Sequence, residues 1–312
     1  MSERAGSETS PLAQLGIITG ESAPQLTDDG RAVRQTLEQR GIEVTPLLWT
    51  DRSVDWSSYD AVLFRSCWEY HTDPDQFRTL LTELSGADVA VYNPPVAIEW
   101  NMHKSYLLAL EAAGISTPST VVVEAGTEAS LESMLDQQGW ANAVIKPAIG
   151  ASSTGVWQSS RDEAAAHSDR FRTALQNSDL LIQEYLPEIS TGERSAVFMR
   201  GEYSHAWNDI PEDDDFSAFD KTDLTYEPTA AIREQTKSVV ETACDQIGCR
   251  PAQLPYARVD YVEHEESILL LELELIEPYL GIERSKAGVD RFVSAVTDLF
   301  AEGLAPSSQS TA

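Results

Sequence analysis

Cysteine and long apolar runs are both scarce in this chain. Its 312 residues include three cysteines, Cys67, Cys244 and Cys249. Cysteines so few and so widely spaced exclude a disulfide framework and a cysteine-based zinc cluster. No apolar run reaches the roughly 18 residues that a membrane-spanning helix needs, and Met1–Ser10 lacks the apolar segment of a secretory signal. These absences predict a cytoplasmic, soluble protein with no membrane partner.

Positive charge is the other shortage. The chain has 22 Lys and Arg residues against 51 Asp and Glu, a formal charge of −29. Nucleic-acid binding needs basic patches, so this balance argues against a nucleic-acid partner. Acidic residues spread along the whole chain are typical of a folded, halophilic surface, where salt screens self-repulsion. Each lysine therefore carries more information than usual; the lysines are Lys104, Lys146, Lys221, Lys237 and Lys286.

The N-terminal third alternates strand and helix patterns. This β-α-β order is typical of a small parallel-sheet α/β domain. A chain of 312 residues has room for two or three such units. The segments that carry the pattern are Leu12–Thr19, Asp28–Gly41, Ile42–Trp49 and Tyr59–Arg65.

A polar and aromatic cluster follows the third predicted strand. Ligands of open α/β sheets bind beyond the carboxyl ends of the strands. The cluster therefore predicts contacts to a polar small molecule by Arg65, Trp68, Glu69 and Tyr70. The alternative is an aromatic cluster that packs beneath the next domain.

A lysine lies where a helix normally prefers an acid. Asn101–Ala113 has helical periodicity, Gly114 ends it, and Lys104 falls in its predicted first turn. Because the helix dipole disfavours a cation at that end, Lys104 suggests an anionic partner outside the chain. A solvated side chain is the alternative.

The stretch Val144–Val156 reads V-I-K-P-A-I-G-A-S-S-T-G-V. It predicts a strand end carrying Lys146, followed by a loop of small residues whose backbone N–H groups can approach an anion. It is not a Walker P-loop, in which Lys directly follows the second glycine. An ordinary surface loop is the alternative to a flexible phosphate cover. The candidate phosphate-binding residues of the loop are Gly150, Ser152, Ser153, Thr154 and Gly155.

A further strand, Leu180–Glu184, runs into a proline turn. Its end predicts a purine-binding edge, with hydrogen bonds from the backbone and Glu184 and apolar contact from Tyr185 and Leu186. The alternative is a strand that simply ends at the turn. The acidic segment Asp209–Asp223 is expected to be an irregular loop.

The last strand pair concentrates carboxylates on one face. Arg258–Val262 and Ile268–Ile276 predict a hairpin in which alternation places Glu272 and Glu274 together. Hairpin register can set Asp260 opposite Glu272. Such hard oxygen ligands suit Mg²⁺ or Mn²⁺ shared with phosphates. The alternative is a solvated, halophilic strand face.

In this order the motifs resemble the ATP-grasp superfamily of carboxylate–amine ligases. The resemblance extends over 101–301 and, with the N-terminal α/β domain, over nearly the whole chain. Within the superfamily the chain is most similar to the glutathione-synthetase-like and ribosomal-protein-modifying ligases. The stretches R-S-C-W-E-Y, I-K-P and L-E-L-E-L-I-E-P resemble the O-ureidoserine cyclo-ligases of cycloserine biosynthesis. The motif residues are Lys104, Lys146, Gly150–Gly155, Gln183 to Leu186, Arg194, Arg258, Asp260, Glu272 and Glu274.

The resemblance implies three parts within an α/β (α+β ATP-grasp) fold. These are an N-terminal parallel-sheet domain at 12–100, a central lid subdomain at 101–190, and a C-terminal antiparallel-sheet subdomain at 191–303 that holds the metal-binding hairpin. Residues 1–11 and 304–312 are expected to be disordered.

The resemblance also implies roles for the motif residues. Lys104 and Lys146 would bind the α- and β-phosphates of ATP beneath the loop, and Gln183 to Leu186 would hold adenine, with Glu193 on the ribose. Asp260, Glu272 and Glu274 would carry two Mg²⁺ (or Mn²⁺). Arg258 and Arg194 would act catalytically on the γ-phosphoryl group as it passes to a substrate carboxylate. An amine would then attack the acylphosphate.

Two features depart from the family pattern. The usual E-x-N of the metal site is E-x-E here, because Glu274 replaces the Asn, and 208–223 lacks the basic, glycine-rich hairpin of many relatives. Beyond the metal strand, Glu277 and Arg284 are candidate substrate neighbours. The expected partners are a small carboxylate and an amine, and a homodimer is the common default among soluble oligomers. Two other functions stay open: a non-catalytic ATP-binding regulatory protein, and a structural halophilic protein.

Overall fold

The computed structural model describes residues 13–212, 215–285 and 287–303. Its first sheet is fully parallel with strand order β2-β1-β3-β4. Strand β3 is buried along its whole length, as expected for a parallel sheet covered on both faces. The elements are β1 (Ala13–Thr19), α1 (Asp28–Gln39), β2 (Ile42–Leu48), β3 (Ala61–Phe64), α2 (Pro74–Gly86) and β4 (Ala90–Tyr92).

Two short helices lead into a second, antiparallel sheet of order β5-β8-β6-β7. Two further helices share its apolar core, in which Trp140 and Phe171 are both buried. The elements are α3 (Pro95–Met102), α4 (Tyr106–Ala112), β5 (Thr120–Val123), α5 (Leu131–Gln138), β6 (Asn142–Pro147), β7 (Trp157–Ser160), α6 (Ser168–Asn177) and β8 (Leu180–Glu184).

The third sheet is antiparallel with order β11-β10-β9-β12-β13. Helix α7 packs on this sheet, whereas α8 packs against α1 and joins the apolar core of the first sheet. The elements are β9 (Glu193–Met199), β10 (Glu202–Glu212), β11 (Asp215–Asp223), α7 (Ala230–Ile247), β12 (Ala257–His264), β13 (Ser267–Glu274) and α8 (Gly288–Glu302).

The predicted α/β fold class, with one parallel and further antiparallel sheets, is confirmed. No helix among the described residues is long and apolar enough to cross a membrane. The predicted disorder of 1–11 and 304–312 concerns segments that lie outside the described residues.

Two sequence predictions about local structure were wrong. Asp209–Asp223 is not an irregular loop: β10 and β11 pair across it, with shifts in register beside Pro211. Because β11 is an edge strand, a high acidic content is compatible with its pairing. The predicted helix Asn101–Ala113 is two helices, because His103 has an extended backbone between α3 and α4.

Arg65 ties the parallel sheet to the C-terminal part of the chain. It follows β3, is 5 % exposed, and its Nη2 lies 2.9 Å from Asp29 Oδ2 on α1. Its Nη1 donates to the carbonyl of Pro278 at 3.3 Å, and its guanidinium lies 5.3 Å from the ring centroid of Phe292 on α8. One buried cation therefore contacts elements more than 200 residues apart, with a separation of 213 positions to Pro278.

We predict that Arg65→Leu lowers the free energy of unfolding by about 3 kcal/mol, because it leaves the Asp29 carboxylate buried without its partner. The matched control is Arg52→Leu, whose partner Glu83 is about as exposed as Arg52 itself; that variant should lose less than about 1 kcal/mol. Urea denaturation followed by circular dichroism measures both. Equal stabilities of the two variants would contradict the assignment.

Candidate functional site

A cleft of about 400 Å³ lies between the second and third sheets. Strands β6 and β8 and the loop after β6 form one wall, and the β12–β13 hairpin forms the other. Residues from the segments that follow β3 and β13 also line the cleft.

The hairpin register predicted from alternation is confirmed. Asp260 pairs with Glu272 and Arg258 with Glu274 in the antiparallel ladder. The Arg258 guanidinium joins two of these carboxylates, with Nε 2.9 Å from Asp260 Oδ1 and Nη2 2.6 Å from Glu274 Oε1. Ser195 on the adjacent strand β9 donates to Asp260 Oδ1 at 2.7 Å.

Two lysines from separate elements converge on a single carboxylate of this hairpin. Lys104 Nζ lies 2.8 Å from Glu272 Oε2, and Lys146 Nζ lies 2.9 Å from Oε1. Burial alone would raise the pKa of Glu272, but the two ammonium groups outweigh burial and hold this pKa below its usual range. Burial likewise opposes the charge on Lys104, yet Glu272 raises the pKa of that lysine. Lys104 and Glu272 are therefore both charged at neutral pH.

The turn that carries Lys104 is fixed to β13 by hydrogen bonds. Lys104 N donates to Ala148 O at 2.7 Å, Asn101 Nδ2 donates to Leu273 O at 2.7 Å, and Tyr106 OH donates to the same carbonyl at 2.9 Å. Sequence reasoning missed Asn101 and Tyr106, although they flank the break between α3 and α4. That break is what turns the Lys104 side chain toward the hairpin.

The glycine loop after β6 lines the cleft with its residues 150 to 154. Ser152 and Ser153 both have φ of 53°, in the left-handed region that non-glycine residues rarely occupy. Gly155 has φ of 77° and lies against Pro147. Backbone strain of this kind is common in segments that move when a ligand binds.

The end of β8 and the start of β9 form the far end of the cleft, which Gln183, Glu184, Tyr185, Leu186 and Glu193 line together. Gln183 Nε2 donates to Thr120 Oγ1 at 3.0 Å. Burial, together with the charges of Asp260 and Glu272, raises the pKa of Glu193 to about 8.

Arg194 lies on the wrong face of β9 for the role expected of it. Because alternate residues of a strand face opposite sides, Glu193 and Ser195 line the cleft and Arg194 does not. The Arg194 guanidinium donates to Gly192 O at 2.6 Å and lies 5.9 Å from the Tyr226 ring centroid. The contacts of Arg194 are therefore with the start of β9 rather than with the cleft.

The predicted substrate residues divide into two groups. Trp68, Tyr70 and Glu277 line the cleft. Arg65 and Glu69 do not line the cleft. Arg65 is buried in the ion pair with Asp29, and Glu69 accepts a hydrogen bond from Ser22 N at 2.7 Å.

The remaining candidate, Arg284, lies over the outer side of a cleft residue. Its guanidinium is 5.0 Å from the ring centroid of Tyr279. Trp207, whose ring is 6.0 Å from that of Tyr279, also lines the cleft and was missed.

The three hairpin carboxylates each form ion pairs with basic side chains of the cleft. Within the described ranges, no set of three His, Cys, Asp or Glu side chains forms a ready metal site. Glu272 is held by the two lysines, and Asp260 and Glu274 by Arg258.

Comparison with known families gives two matches in chain order. Residues 15–93 match the N-terminal domain of D-cycloserine synthetase DcsG. Residues 107–249 match the ATP-grasp domain of prokaryotic glutathione synthetase. The two matches fall on the parallel-sheet part and on the part that contains Lys146 and the glycine loop.

Individual proteins match over most of the chain. The cycloserine biosynthesis protein DcsG of Streptomyces lavendulae is 27 % identical over 297 residues, covering 91 % of this chain and 98 % of that protein. The crystal structure of D-cycloserine synthetase DcsG superposes with a TM-score of 0.82 at 26 % identity, covering 91 % of this chain and 99 % of the other.

A more distant structure has the same fold. D-alanine–D-alanine ligase of Bacillus anthracis matches with a TM-score of 0.66 at 16 % identity, over 93 % of this chain and 99 % of the other. The resemblance drawn from the sequence motifs is thus confirmed. The ATP-grasp match over residues 107–249, together with the similarity to DcsG over most of the chain, supports an ATP-grasp ligase.

Proposed function

We propose that this ligase joins a small, amino-acid-like carboxylate to an amine through an acylphosphate, with ATP as phosphoryl donor and Mg²⁺ or Mn²⁺ as the metal. The observation that carries the proposal is the convergence of Lys104 and Lys146 on Glu272 beside Arg258. Three basic side chains meet there in a chain that carries a charge of −29. Such a concentration of cations suits a polyphosphate.

The ATP site follows from the two ends of the cleft. Lys104 and Lys146 would bind the α- and β-phosphates, and the loop 150–155 would close over the triphosphate. Gln183 to Leu186 would hold adenine, with Glu193 near the ribose. In the ligand-free protein the Glu272 carboxylate holds the two lysines together, so phosphates would take over lysine contacts that already exist.

The chemistry proceeds in two displacements. The substrate carboxylate attacks the γ-phosphorus of ATP, the bond to the β–γ bridging oxygen breaks, and an acylphosphate and ADP form. The amine then attacks the acyl carbon and inorganic phosphate leaves with the C–O bonding pair, while the amine loses a proton. Arg258 would stabilise the charge on the transferred group, and catalysis is mostly positioning and neutralisation.

The donors of the cleft fit a divalent cation. Its lining contains seven carboxylates and three basic side chains. The carboxylates are Glu184, Glu193, Asp209, Asp260, Glu272, Glu274 and Glu277, and the basic residues are Lys104, Lys146 and Arg258.

This surplus of negative charge raises the pKa of one carboxyl group of the hairpin. Burial and the neighbouring Asp260 and Glu272 raise the pKa of Glu274 to about 7, against the opposing effect of Arg258. Asp260, Glu272 and Glu274 offer the hard oxygen donors that Mg²⁺ prefers and would hold the ion. Bound there, it would supply charge neutralisation to the phosphates.

The proposal includes a division into three parts, 12–100, 101–190 and 191–303. It is supported by the three sheets, which follow one another in that order along the chain. The second part carries the strained glycine loop and would act as the lid over the nucleotide.

We predict that Lys146→Ala abolishes carboxylate-dependent ADP release, with a loss of at least about 100-fold in kcat, because it removes a buried phosphate-binding cation. A coupled ADP assay with Mg²⁺ and a panel of small acids measures this, and circular dichroism verifies the fold. The matched control is Lys237→Ala on α7, outside the cleft lining. Unchanged turnover in Lys146→Ala would refute the assigned role, and ATP binding without turnover in wild type would favour a regulatory protein.

We predict opposite outcomes for the two arginines. Arg258→Ala should lower kcat by about 100- to 1,000-fold, since its guanidinium faces the cleft beside both acidic strands. Arg194→Ala should keep kcat within about threefold and lower the thermal unfolding midpoint, because its contacts lie on the other face of β9. Steady-state kinetics and thermal unfolding of both variants measure these effects. A large loss of kcat in Arg194→Ala would support a catalytic role for Arg194.

We predict a pH-dependent effect of Glu193→Gln on the ligand-free protein. The folded-state pKa of Glu193 is raised to about 8, above the roughly 4.3 of an unfolded glutamate. Its favourable contribution is therefore complete below the unfolded pKa and is lost as pH rises through 8. The stability of Glu193→Gln relative to wild type should increase from pH 5 to pH 8.

Thermal unfolding in a matched pH series measures this difference. The control is Glu202→Gln, whose side chain is 83 % exposed and whose difference from wild type should stay constant across the series. A pH-independent difference for Glu193→Gln would count against the buried, charge-crowded position of this carboxylate.

A further inference from the structure

Glu277 is a buried carboxylate of the cleft that the steps above leave unused. It follows β13, is 6 % exposed and lines the cleft. Among the side chains that the structure describes, none forms an ion pair or a hydrogen bond with it.

The nearest cations are already committed elsewhere. Lys104 and Arg258 lie within electrostatic range of Glu277, but Lys104 is paired with Glu272 and Arg258 with Asp260 and Glu274. Burial, and next the charge of Glu274, raise the pKa of Glu277 well above its usual range. A buried carboxylate without a partner is costly, so this position favours a positive charge supplied from outside the chain.

The walls beside Glu277 are aromatic. Trp68 Nε1 donates to the carbonyl of Glu277 at 3.1 Å, which fixes the indole against this part of the chain. Tyr70 is 4 % exposed, lines the same end of the cleft, and lies close enough for the charge of Glu277 to raise the pKa of its hydroxyl.

This composition distinguishes two kinds of cation. A hard metal ion needs several oxygen ligands, and the carboxylates proposed to supply them, Glu272 and Glu274, lie earlier in the chain on β13. An organic ammonium is instead satisfied by one carboxylate together with aromatic surfaces, which attract it through the ring quadrupole. The surroundings of Glu277 favour the ammonium.

We propose that Glu277, with Trp68 and Tyr70 as walls, binds the ammonium group of the substrate, so that the enzyme selects zwitterionic amino acids over otherwise identical acids without the amino group. This inference rests on the proposed ligase function and adds to it a specificity-determining residue. The substrate class is then an amino-acid derivative whose carboxylate faces Arg258 while its ammonium faces Glu277.

The test compares matched acids on the full-length enzyme with ATP and Mg²⁺. The pairs are alanine with propionate and serine with 3-hydroxypropionate, each amino acid in both enantiomers, with hydroxylamine as a general amine acceptor. Wild type should release phosphate with a kcat/KM at least 100-fold higher for an amino acid than for its des-amino partner. Glu277→Gln should reduce that ratio at least 10-fold while the KM for ATP changes less than twofold.

The matched control is Glu283→Gln, an exposed carboxylate six residues on that is not one of the cleft-lining residues and should leave the ratio unchanged. Thermal-shift titration of the same acids onto the enzyme with a non-hydrolysable ATP analogue gives a readout that does not require turnover. A folded Glu277→Asp variant, verified by its unfolding midpoint, should recover part of the selectivity.

The outcomes separate the two ideas. Stabilisation by amino acids that is lost in Glu277→Gln, without phosphate release from any acid, would support the ammonium site and overturn the ligase reaction. Phosphate release that is equal for amino and des-amino acids would keep the ligase and overturn the ammonium site. An unchanged ratio in Glu277→Gln, or the absence of any ammonium-dependent stabilisation or turnover in wild type, would also overturn it.

Discussion

The site depends on one carboxylate shared by two lysines. Lys104 comes from the turn after α3 and Lys146 from the end of β6, and Glu272 on β13 is the group that both contact. Without Glu272 the two ammonium groups would repel each other in a partly buried place. The acidic strand therefore stabilises the two lysines side by side, and in the proposed function their ammonium groups would bind the phosphates of the nucleotide.

That constraint explains why so acidic a chain can bind a polyanion. Negative charge elsewhere is carried mostly at exposed positions, whereas Lys146 is 6 % exposed and Lys104 is also largely buried. Buried ion pairs are screened less by salt than exposed ones. The proposed attraction for phosphate would thus be local to the cleft, while the net charge of −29 disfavours contacts with polyanions elsewhere.

The sequence predicted best where one local rule decides the outcome. Strict alternation in β13 was enough to place Glu272 and Glu274 together, and the ladder then sets Asp260 opposite Glu272. Sequence reasoning did not predict which face of β9 each residue occupies, so it did not foresee that Arg194 lies outside the cleft lining. It also did not predict buried contacts between residues distant in sequence, such as those of Arg65 with Asp29 and Pro278. The break between α3 and α4 was equally hidden, because it is stabilised by contacts to Ala148 and Leu273 rather than by a Pro or Gly.

Three acidic residues follow one another on β13 and just after it, and their order matches the order in which the reacting groups are proposed to bind. Glu272 contacts the lysines that would hold phosphates, Glu274 contacts Arg258, and Glu277 lies beyond them among aromatic side chains. Successive positions on an extended strand are about 3.3 Å apart along its axis, so Glu272 and Glu274 lie about 7 Å apart along β13, and Glu277 follows the end of that strand. A substrate carboxylate bound near Arg258 would then lie between the phosphoryl donor and Glu277, which is proposed to bind the substrate ammonium group. Strand β13 and the residues directly after it would therefore align the donor, the reacting group and the recognition element, while the loop 150–155 closes over the triphosphate.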